Sequence, residues 1–208
     1  MKMQTVFLRI NYIKSILFRI VGEKMFRAIR KMLAWVFLLL GVGIFGYFYV
    51  LPKVLPLEYK EQVEEYAALY HVEESLIYAV IFCESRFDPD AHSRADAQGL
   101  MQVTTETGWW VASRLENVDA DTMDLKDPET SIAVGTWYLS WLEDKFNEVQ
   151  PTVLAAYNAG HGKVSQWLAD ERYSDDGNHL KEIPFLETNS YVKKVTLVQK
   201  LYEICYGL

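Results

Sequence analysis

The stretch AVIFCESRFDPDAHSRADAQGLMQ, residues 79–102, places one carboxylate, Glu84, directly after a run of apolar residues. Ile77, Val80, Ile81 and Glu84 recur at helical spacing, so that Glu84 shares the apolar stripe of its helix. Pro89 forbids simple continuation, and the helix is therefore predicted to end near residue 86. Burial and the negative end of the helix dipole both disfavour an ionised carboxylate. The stretch predicts a carboxyl that stays protonated near neutral pH.

A neutral carboxyl of this kind is what general-acid catalysis at a glycosidic oxygen requires. The structural alternative is a buried glutamate whose carboxyl is satisfied by a hydrogen bond in the core, because perturbed carboxylates also occur at purely structural positions. The segment by itself leaves these two readings open.

Outward from this stretch, helical periodicity continues almost to the C-terminus. Residues 99–115 are predicted to form one or two helices with a break near Gly108, and no convincing alternating strand appears. Asp127 is a predicted N-cap followed by Pro128 at the first helical position. The prediction is a mainly α globular domain with helices over 57–71, 73–86, 127–146, 152–160, 161–170 and 188–205.

The N-terminal segment MLAWVFLLLGVGIFGYFYVLP, residues 32–52, contains no charge, and residues 1–31 carry eight Lys/Arg against one Glu. About 20 apolar residues span a bilayer as a helix, and basic flanks stay on the cytoplasmic side. The sequence predicts a cytoplasmic tail over 1–31, a single transmembrane anchor over 32–52, a linker over 53–60 and an extracytoplasmic domain over 61–205. A cleaved signal peptide or a buried helix of a soluble protein are the alternatives.

The rest of the chain, residues 32–208, has a net charge of −14, which argues against nucleic acid as a partner. The histidines lack metal-ligand spacing, and we predict no metal and no cofactor. Cys83 is interpreted as a small buried apolar residue, and pairing with Cys205 is left open. The tryptophans of the domain are either core residues or platforms that stack on sugars.

Three segments in order along the chain carry a family resemblance: ESRFDPDAHSRADAQGLMQ (84–102), AAYNAG (155–160) and EIPFLETNSYV (182–192). Together they resemble the soluble-type, goose-lysozyme-like catalytic domain of lytic transglycosylases, over roughly residues 62–200. The resemblance implies a lysozyme-like helical fold and a substrate in bacterial peptidoglycan, met by a domain tethered outside the cell membrane.

The resemblance also implies the site residues. Glu84 corresponds to a single catalytic acid/base that cleaves the β-1,4 bond from N-acetylmuramic acid to N-acetylglucosamine and leaves 1,6-anhydromuramoyl ends. Tyr191 would pack nearby. A hydrolytic muramidase and a non-catalytic peptidoglycan-binding scaffold are the alternatives. The substrate-binding positions implied are Ser93, Gln102, Tyr157, Asn158 and Glu187.

The chain departs from the family pattern at four positions. Asp96 stands where glycine is usual, Thr104 where methionine is common, Thr105 where proline is usual and Ser131 where asparagine is common. These changes concern the shape of the cleft wall and thus the substrate preference, and they leave Glu84 untouched.

Overall fold

The computed structural model describes residues 2–115 and 118–208, and the chain divides into two compact units, Met1–Pro56 and Leu57–Leu208. Met1 of the predicted tail lies outside the described residues. The first unit comprises α1 (Lys2–Phe45), a π-helical turn (Gly46–Val50) and α2 (Leu51–Val54). Within the described ranges, one helical stretch, Lys24–Val54, is long and apolar enough to cross a membrane, with a mean hydropathy of 2.1.

The second unit is built almost entirely from helices, which confirms the predicted mainly α class. Its strands form one two-stranded antiparallel hairpin, which pairs Ala97 with Thr104 and Gln98 with Val103. The elements are α3 (Lys60–Tyr70), α4 (Glu74–Glu84), β1 (Ala97–Gln98), β2 (Val103–Thr104), α5 (Thr105–Ala112), α6 (Pro128–Lys145), α7 (Gln150–Ala159), α8 (His161–Leu168) and α9 (Leu186–Tyr206).

Helix α4 forms the centre of the core, and every residue from Ser75 to Ile81 is buried. Helix α9 packs along it. The rings of Tyr78 and Tyr202 stack with their centroids 5.3 Å apart. The buried amide of Gln199 donates to Glu73 at 3.0 Å and to Ser75 at 3.3 Å, and these directional bonds fix how α9 sits on α4.

The start of α6 follows the sequence prediction. The Asp127 carboxylate accepts a hydrogen bond from the backbone N–H of Thr130 at 2.9 Å, and Pro128 occupies the first turn, where its missing N–H costs nothing. The end of α4 differs slightly from the prediction, because the helix ends at Glu84 and the chain then passes through two left-handed residues, Arg86 and Phe87.

The prediction for residues 99–115 was wrong at its first part. Residues 99–102 form the turn of the hairpin, with Gly99 at φ +73° and Gln102 at φ +48°, and helix α5 begins only at Thr105. The predicted break at Gly108 is also absent, since α5 continues through it. A Cβ at position 108 would lie 2.8 Å from Cε of Met123, so this glycine permits close packing instead of ending the helix.

Contacts with the segment before α6 determine the hairpin turn. A Cβ on Gly99 would lie 1.8 Å from the carbonyl oxygen of Leu125. The buried hydroxyl of Ser131 accepts a hydrogen bond from the backbone N–H of Met101 at 3.2 Å. The turn is therefore held by distant parts of the chain, which explains why local helical periodicity did not reveal it.

We expect Gly99→Ala to destabilise the domain by about 3 kcal/mol or more, because the substitution adds both a backbone clash and a left-handed strain. Chemical denaturation measures this. Gly162→Ala is the matched control, since a Cβ there meets nothing within 4 Å and lies in helix α8, where alanine is favoured. Equal stability of the two variants would contradict the close approach at Gly99.

Candidate functional site

One cleft of about 450 Å³ gathers all six of the residues predicted for the site. Its walls come from the end of α4, the loop that follows it, the hairpin, the end of α7 and the start of α9. The structure thus brings together segments separated by more than 100 positions of sequence, while the individual roles of the residues stay predictions. The six are Glu84, Ser93, Gln102, Tyr157, Asn158 and Glu187.

Glu84 is the last residue of α4 and is half-buried in the cleft. Loss of solvent around its carboxyl raises the pKa to about 7 from the ordinary 4.5. The Tyr191 hydroxyl and the Lys194 ammonium group oppose this rise, and the Glu187 carboxylate adds to it. The carboxyl is therefore partly protonated at neutral pH, as the sequence predicted.

Helix α9 supplies the three groups that surround this carboxyl. Glu187, Tyr191 and Lys194 follow one another at spacings of four and three, so they share one face of the helix. The Lys194 ammonium donates to the carbonyl oxygen of Cys83 at 3.0 Å, which satisfies a carbonyl at the open end of α4. The site role of Lys194 was missed from the sequence, although its spacing from Tyr191 was a usable signal.

The hydroxyl of Tyr191 is buried beside Glu84 but does not form a hydrogen bond of normal geometry with any described residue. It still lies close enough to lower the pKa of the Glu84 carboxyl. The prediction that Tyr191 packs near Glu84 is confirmed.

Ser93 presents its hydroxyl to the cleft from the loop before the hairpin. The oxygen accepts hydrogen bonds from the backbone N–H groups of Ala95 at 3.2 Å and Ala97 at 3.0 Å. Both acceptor positions are thereby used, and the hydroxyl hydrogen is left to donate into the cleft.

The hairpin turn fixes Gln102 in a similar way. Its side-chain NH₂ group donates to the carbonyl oxygens of Ala91 and Gly99, each at 3.0 Å, which leaves the amide oxygen as an acceptor on the cleft side. The Tyr157 hydroxyl donates to the carbonyl oxygen of Met101 at 2.9 Å. Tyr157 thus ties α7 to the turn that carries Gln102, and it does not bond Glu84 directly.

Several cleft residues were missed from the sequence. Tyr138 lies on the buried face of α6, is only 6% exposed, and also lines the cleft. Thr107 also lines the cleft and was missed. Thr104 lines it too, as its departure from the family pattern led us to expect, and its hydroxyl caps α5 by accepting from the Thr107 N–H at 3.2 Å. A short β-strand followed directly by a helix leaves no periodicity that would place Thr107 in a cleft.

Each residue that departs from the family pattern has a defined setting in the structure. Asp96 has φ +62°, a conformation that glycine adopts without strain and that aspartate tolerates better than most residues. Thr105 is the first residue of α5, a position that also suits proline. Ser131 is the buried partner of the Met101 N–H.

Both cysteines are free, so the open question of a bridge between Cys83 and Cys205 is answered in the negative. Burial raises the pKa of the Cys83 thiol to about 11; the nearby Lys194 lowers it and Glu84 raises it.

The raised pKa of Glu84 predicts how stability depends on pH. Because the folded state holds this proton more tightly than the unfolded state, its contribution is complete below about pH 4.5 and is lost as the pH rises towards 7. We expect the free energy of unfolding of Glu84→Gln to equal that of the wild type near pH 4.5. At pH 8 we expect it to be about 2 kcal/mol higher than that of the wild type. Urea denaturation across this range measures the difference.

The control for this experiment is Glu64→Gln, which alters an exposed glutamate paired with Lys60 on the surface of α3. We expect its stability to differ from the wild type by less than about 0.5 kcal/mol at every pH. A Glu84→Gln curve parallel to the wild-type curve would show that folding does not raise the pKa of Glu84.

Comparisons with known proteins agree with this fold and cleft. The transglycosylase SLT domain family matches residues 61–180. The chain is 31% identical over 159 residues to the soluble lytic murein transglycosylase of Escherichia coli, covering 76% of this chain and 25% of that protein. It is 40% identical over 171 residues to the membrane-bound lytic murein transglycosylase C of Yersinia pestis, covering 72% of this chain and 46% of that protein.

Solved structures give the same result. The crystal structure of the 70 kDa soluble lytic transglycosylase from Escherichia coli superimposes with a TM-score of 0.65 at 30% identity, covering 74% of this chain and 25% of that chain. The complex of a 70 kDa soluble lytic transglycosylase with bulgecin A gives a TM-score of 0.68 at 30% identity, covering 76% of this chain and 26% of that chain.

The chain spans about a quarter of the length of the first curated relatives it matches. On the family match, which covers more than half of its length, the chain belongs to the transglycosylase SLT domain family.

Proposed function

We propose that this protein is a membrane-anchored lytic transglycosylase of peptidoglycan, which cleaves the β-1,4 bond between N-acetylmuramic acid and N-acetylglucosamine. The observation that carries the proposal is the Glu84 carboxyl, desolvated in a cleft with a pKa of about 7. The names of the relatives support the reaction and the substrate, since both curated relatives are lytic murein transglycosylases.

In the first step, protonated Glu84 donates its proton to the glycosidic oxygen as the bond to the anomeric carbon of the muramoyl residue breaks. Positive charge then develops at that carbon. The acetamido oxygen of the same sugar stabilises this charge, as in substrate-assisted glycosidases. A carboxyl with a pKa near the working pH is suited to this role, because a large fraction is protonated while proton transfer stays favourable.

In the second step, the ionised Glu84 accepts the proton of the muramoyl 6-hydroxyl, and the oxygen of that group bonds to the anomeric carbon. The product carries a 1,6-anhydro ring, and no water is consumed. One carboxyl therefore acts first as acid and then as base. Glu187, the other carboxylate that the described residues bring to the cleft, is exposed to solvent and is assigned to substrate contact.

The remaining cleft residues would orient the glycan. The free hydrogen of the Ser93 hydroxyl donates to a sugar oxygen, and the amide oxygen of Gln102 accepts from a hydroxyl or acetamido N–H. Asn158 lines the same wall, and its side-chain amide forms no hydrogen bond to the described part of the chain, which leaves it available to substrate. Such groups, fixed by backbone bonds before substrate arrives, lose little entropy on binding.

The N-terminal segment would place this domain at its substrate. We assign 1–31 to the cytoplasmic side, 32–52 to the bacterial cell membrane and 53–60 to a linker, with the catalytic domain over 61–205 outside. The apolar helical stretch and the membrane-bound relative support this arrangement. Peptidoglycan would then be the partner of the domain and the membrane that of the anchor.

The test is digestion of purified peptidoglycan by the full chain in detergent, followed by mass spectrometry of the released fragments. We expect anhydromuramoyl ends from the wild type and none from Glu84→Gln, because glutamine cannot donate the proton. Glu143→Gln is the matched control: burial also raises the pKa of Glu143 to about 7, but Glu143 lies outside the cleft, and its variant should keep full activity.

The outcomes separate the alternatives. Fragments heavier by one water identify a muramidase, and no release by the wild type identifies a binding scaffold. Glu187→Gln should weaken the apparent affinity while the anhydro product persists. Complete loss of cleavage in that variant would instead point to a mechanism with two carboxylates.

The dependence of kcat/KM on pH gives a further prediction. Activity requires protonated Glu84, so kcat/KM should fall tenfold per pH unit above about pH 7. Since the Tyr191 hydroxyl lowers the pKa of this carboxyl, Tyr191→Phe should move the fall to higher pH, by roughly half a unit to one unit. Tyr173→Phe, outside the cleft, should leave the profile unchanged, and an unmoved profile in Tyr191→Phe would exclude Tyr191 as a positioning residue.

A further inference from the structure

A group of aromatic side chains contacts the cleft residue Tyr138 and has no part in the proposed mechanism. We call Trp110, Trp137, Trp141 and His161 the tryptophan cluster. The ring of Trp110 meets that of Trp141 edge to face at 4.8 Å and that of Trp137 at 5.6 Å. His161 meets Trp141 edge to face at 5.0 Å. These contacts hold the rings as one rigid aromatic surface.

The cluster continues the cleft on three separate elements. On α5, Thr107 lines the cleft and Trp110 lies three residues further along the same helix face. On α6, Tyr138 lines the cleft and Trp141 follows at the same spacing, with the two rings stacked at 6.0 Å and 12°.

The third element is the junction of α7 and α8. Gly160 lines the cleft, and the next residue is His161. Burial and the nearby Lys145 lower the pKa of the His161 imidazole, which favours the uncharged ring. Helix α5, helix α6 and the α7–α8 junction thus each carry one cleft residue and, close to it, one residue of the tryptophan cluster. We therefore treat the cluster as a continuation of the cleft wall.

The cluster is not an ordinary part of the core. All four of its side chains keep partial solvent exposure, whereas the helix positions beneath them, Val111, Leu139 and Leu142, are fully buried. A rigid, half-exposed aromatic surface that adjoins a polar cleft is typical of a ligand groove.

Two cations lie over the faces of the cluster in a domain that is otherwise acidic. The Arg114 guanidinium sits 4.0 Å from the ring centroid of Trp110 and donates to the backbone carbonyl of the same residue at 2.7 Å. The Lys145 ammonium lies 5.2 Å from the ring centroid of Trp141. These groups would favour a ligand that combines an apolar ring face with carboxylates or hydroxyl oxygens at its edge.

We propose that the tryptophan cluster is a further saccharide subsite, which binds a pyranose ring of the same amino-sugar strand at a distance from the bond that is cleaved. A pyranose presents C–H groups on its faces and hydroxyl groups at its edge. It would stack on the rings in place of the exposed Arg114 and Lys145 side chains, which would then bond its hydroxyl groups. The proposal rests on the proposed function for the identity of the strand, and it makes this protein prefer long glycans over short ones.

The test uses the full chain in detergent with Glu84→Gln, so that binding is measured without turnover. The probes are β-1,4-linked N-acetylglucosamine oligomers of two and six sugars, and the readout is calorimetric affinity. In this background, Trp110→Leu and Trp141→Leu should each weaken the six-sugar affinity roughly tenfold, about 1.4 kcal/mol, and leave the two-sugar affinity unchanged. Trp110→Phe should restore most of the loss.

Trp109→Leu is the matched control. Trp109 lies on the same helix, is 58% exposed and is not a member of the cluster, so its loss should leave both affinities unchanged. Thermal unfolding of each variant shows whether it is folded, and Trp110→Leu decides the question if Trp141→Leu is not.

Equal weakening for both oligomers, no weakening for either, or no binding of the six-sugar probe to the parent protein would each overturn the subsite. Because no cleavage is measured, a failure of the proposed reaction appears separately, in the peptidoglycan digestion. If both hold, Trp110→Leu in the otherwise wild-type chain should raise KM for long strands with kcat unchanged, as expected for a group that binds ground state and transition state equally.

Discussion

The cleft depends on one constraint, which is that the carboxyl of Glu84 is largely removed from water. Glu84 ends the most buried helix of the domain, so its carboxyl is carried to the edge of the core by a segment that cannot move without disrupting that core. Burial alone would raise the pKa further. The Tyr191 hydroxyl and the Lys194 ammonium hold it near 7, where the group can both give and take a proton.

Helix α9 therefore has two functions that share the same packing. Its buried residues complete the core around α4 through the stacked Tyr78 and Tyr202 rings and the amide of Gln199. Its first turns carry Glu187, Tyr191 and Lys194 to the carboxyl. Because one rigid helix does both, the electrostatic setting of Glu84 is fixed by the stability of the core and not by a flexible loop.

The sequence was sufficient for most of the helices, for the raised pKa of Glu84 and for the group of residues that line the cleft, because these depend on periodicity and on short motifs. It was insufficient for the hairpin, since strands of two residues leave no alternation and the turn depends on Leu125 and Ser131, more than 20 positions away. That Tyr138, a core residue, also lines the cleft was not evident from the sequence for a related reason. A helix face that borders a cleft has the same apolar pattern as one that faces the interior.

The thiol of Cys83, the residue before Glu84, determines how the domain reacts with oxidants. Oxidants and disulfides react with thiolates, and a thiol with a pKa of about 11 is almost wholly protonated at neutral pH. The burial that keeps a proton on Glu84 also keeps one on its neighbour. If the domain lies outside the cell membrane, as we propose, this unpaired cysteine reacts only slowly with oxidants there. It is protected by burial and does not need a disulfide bond.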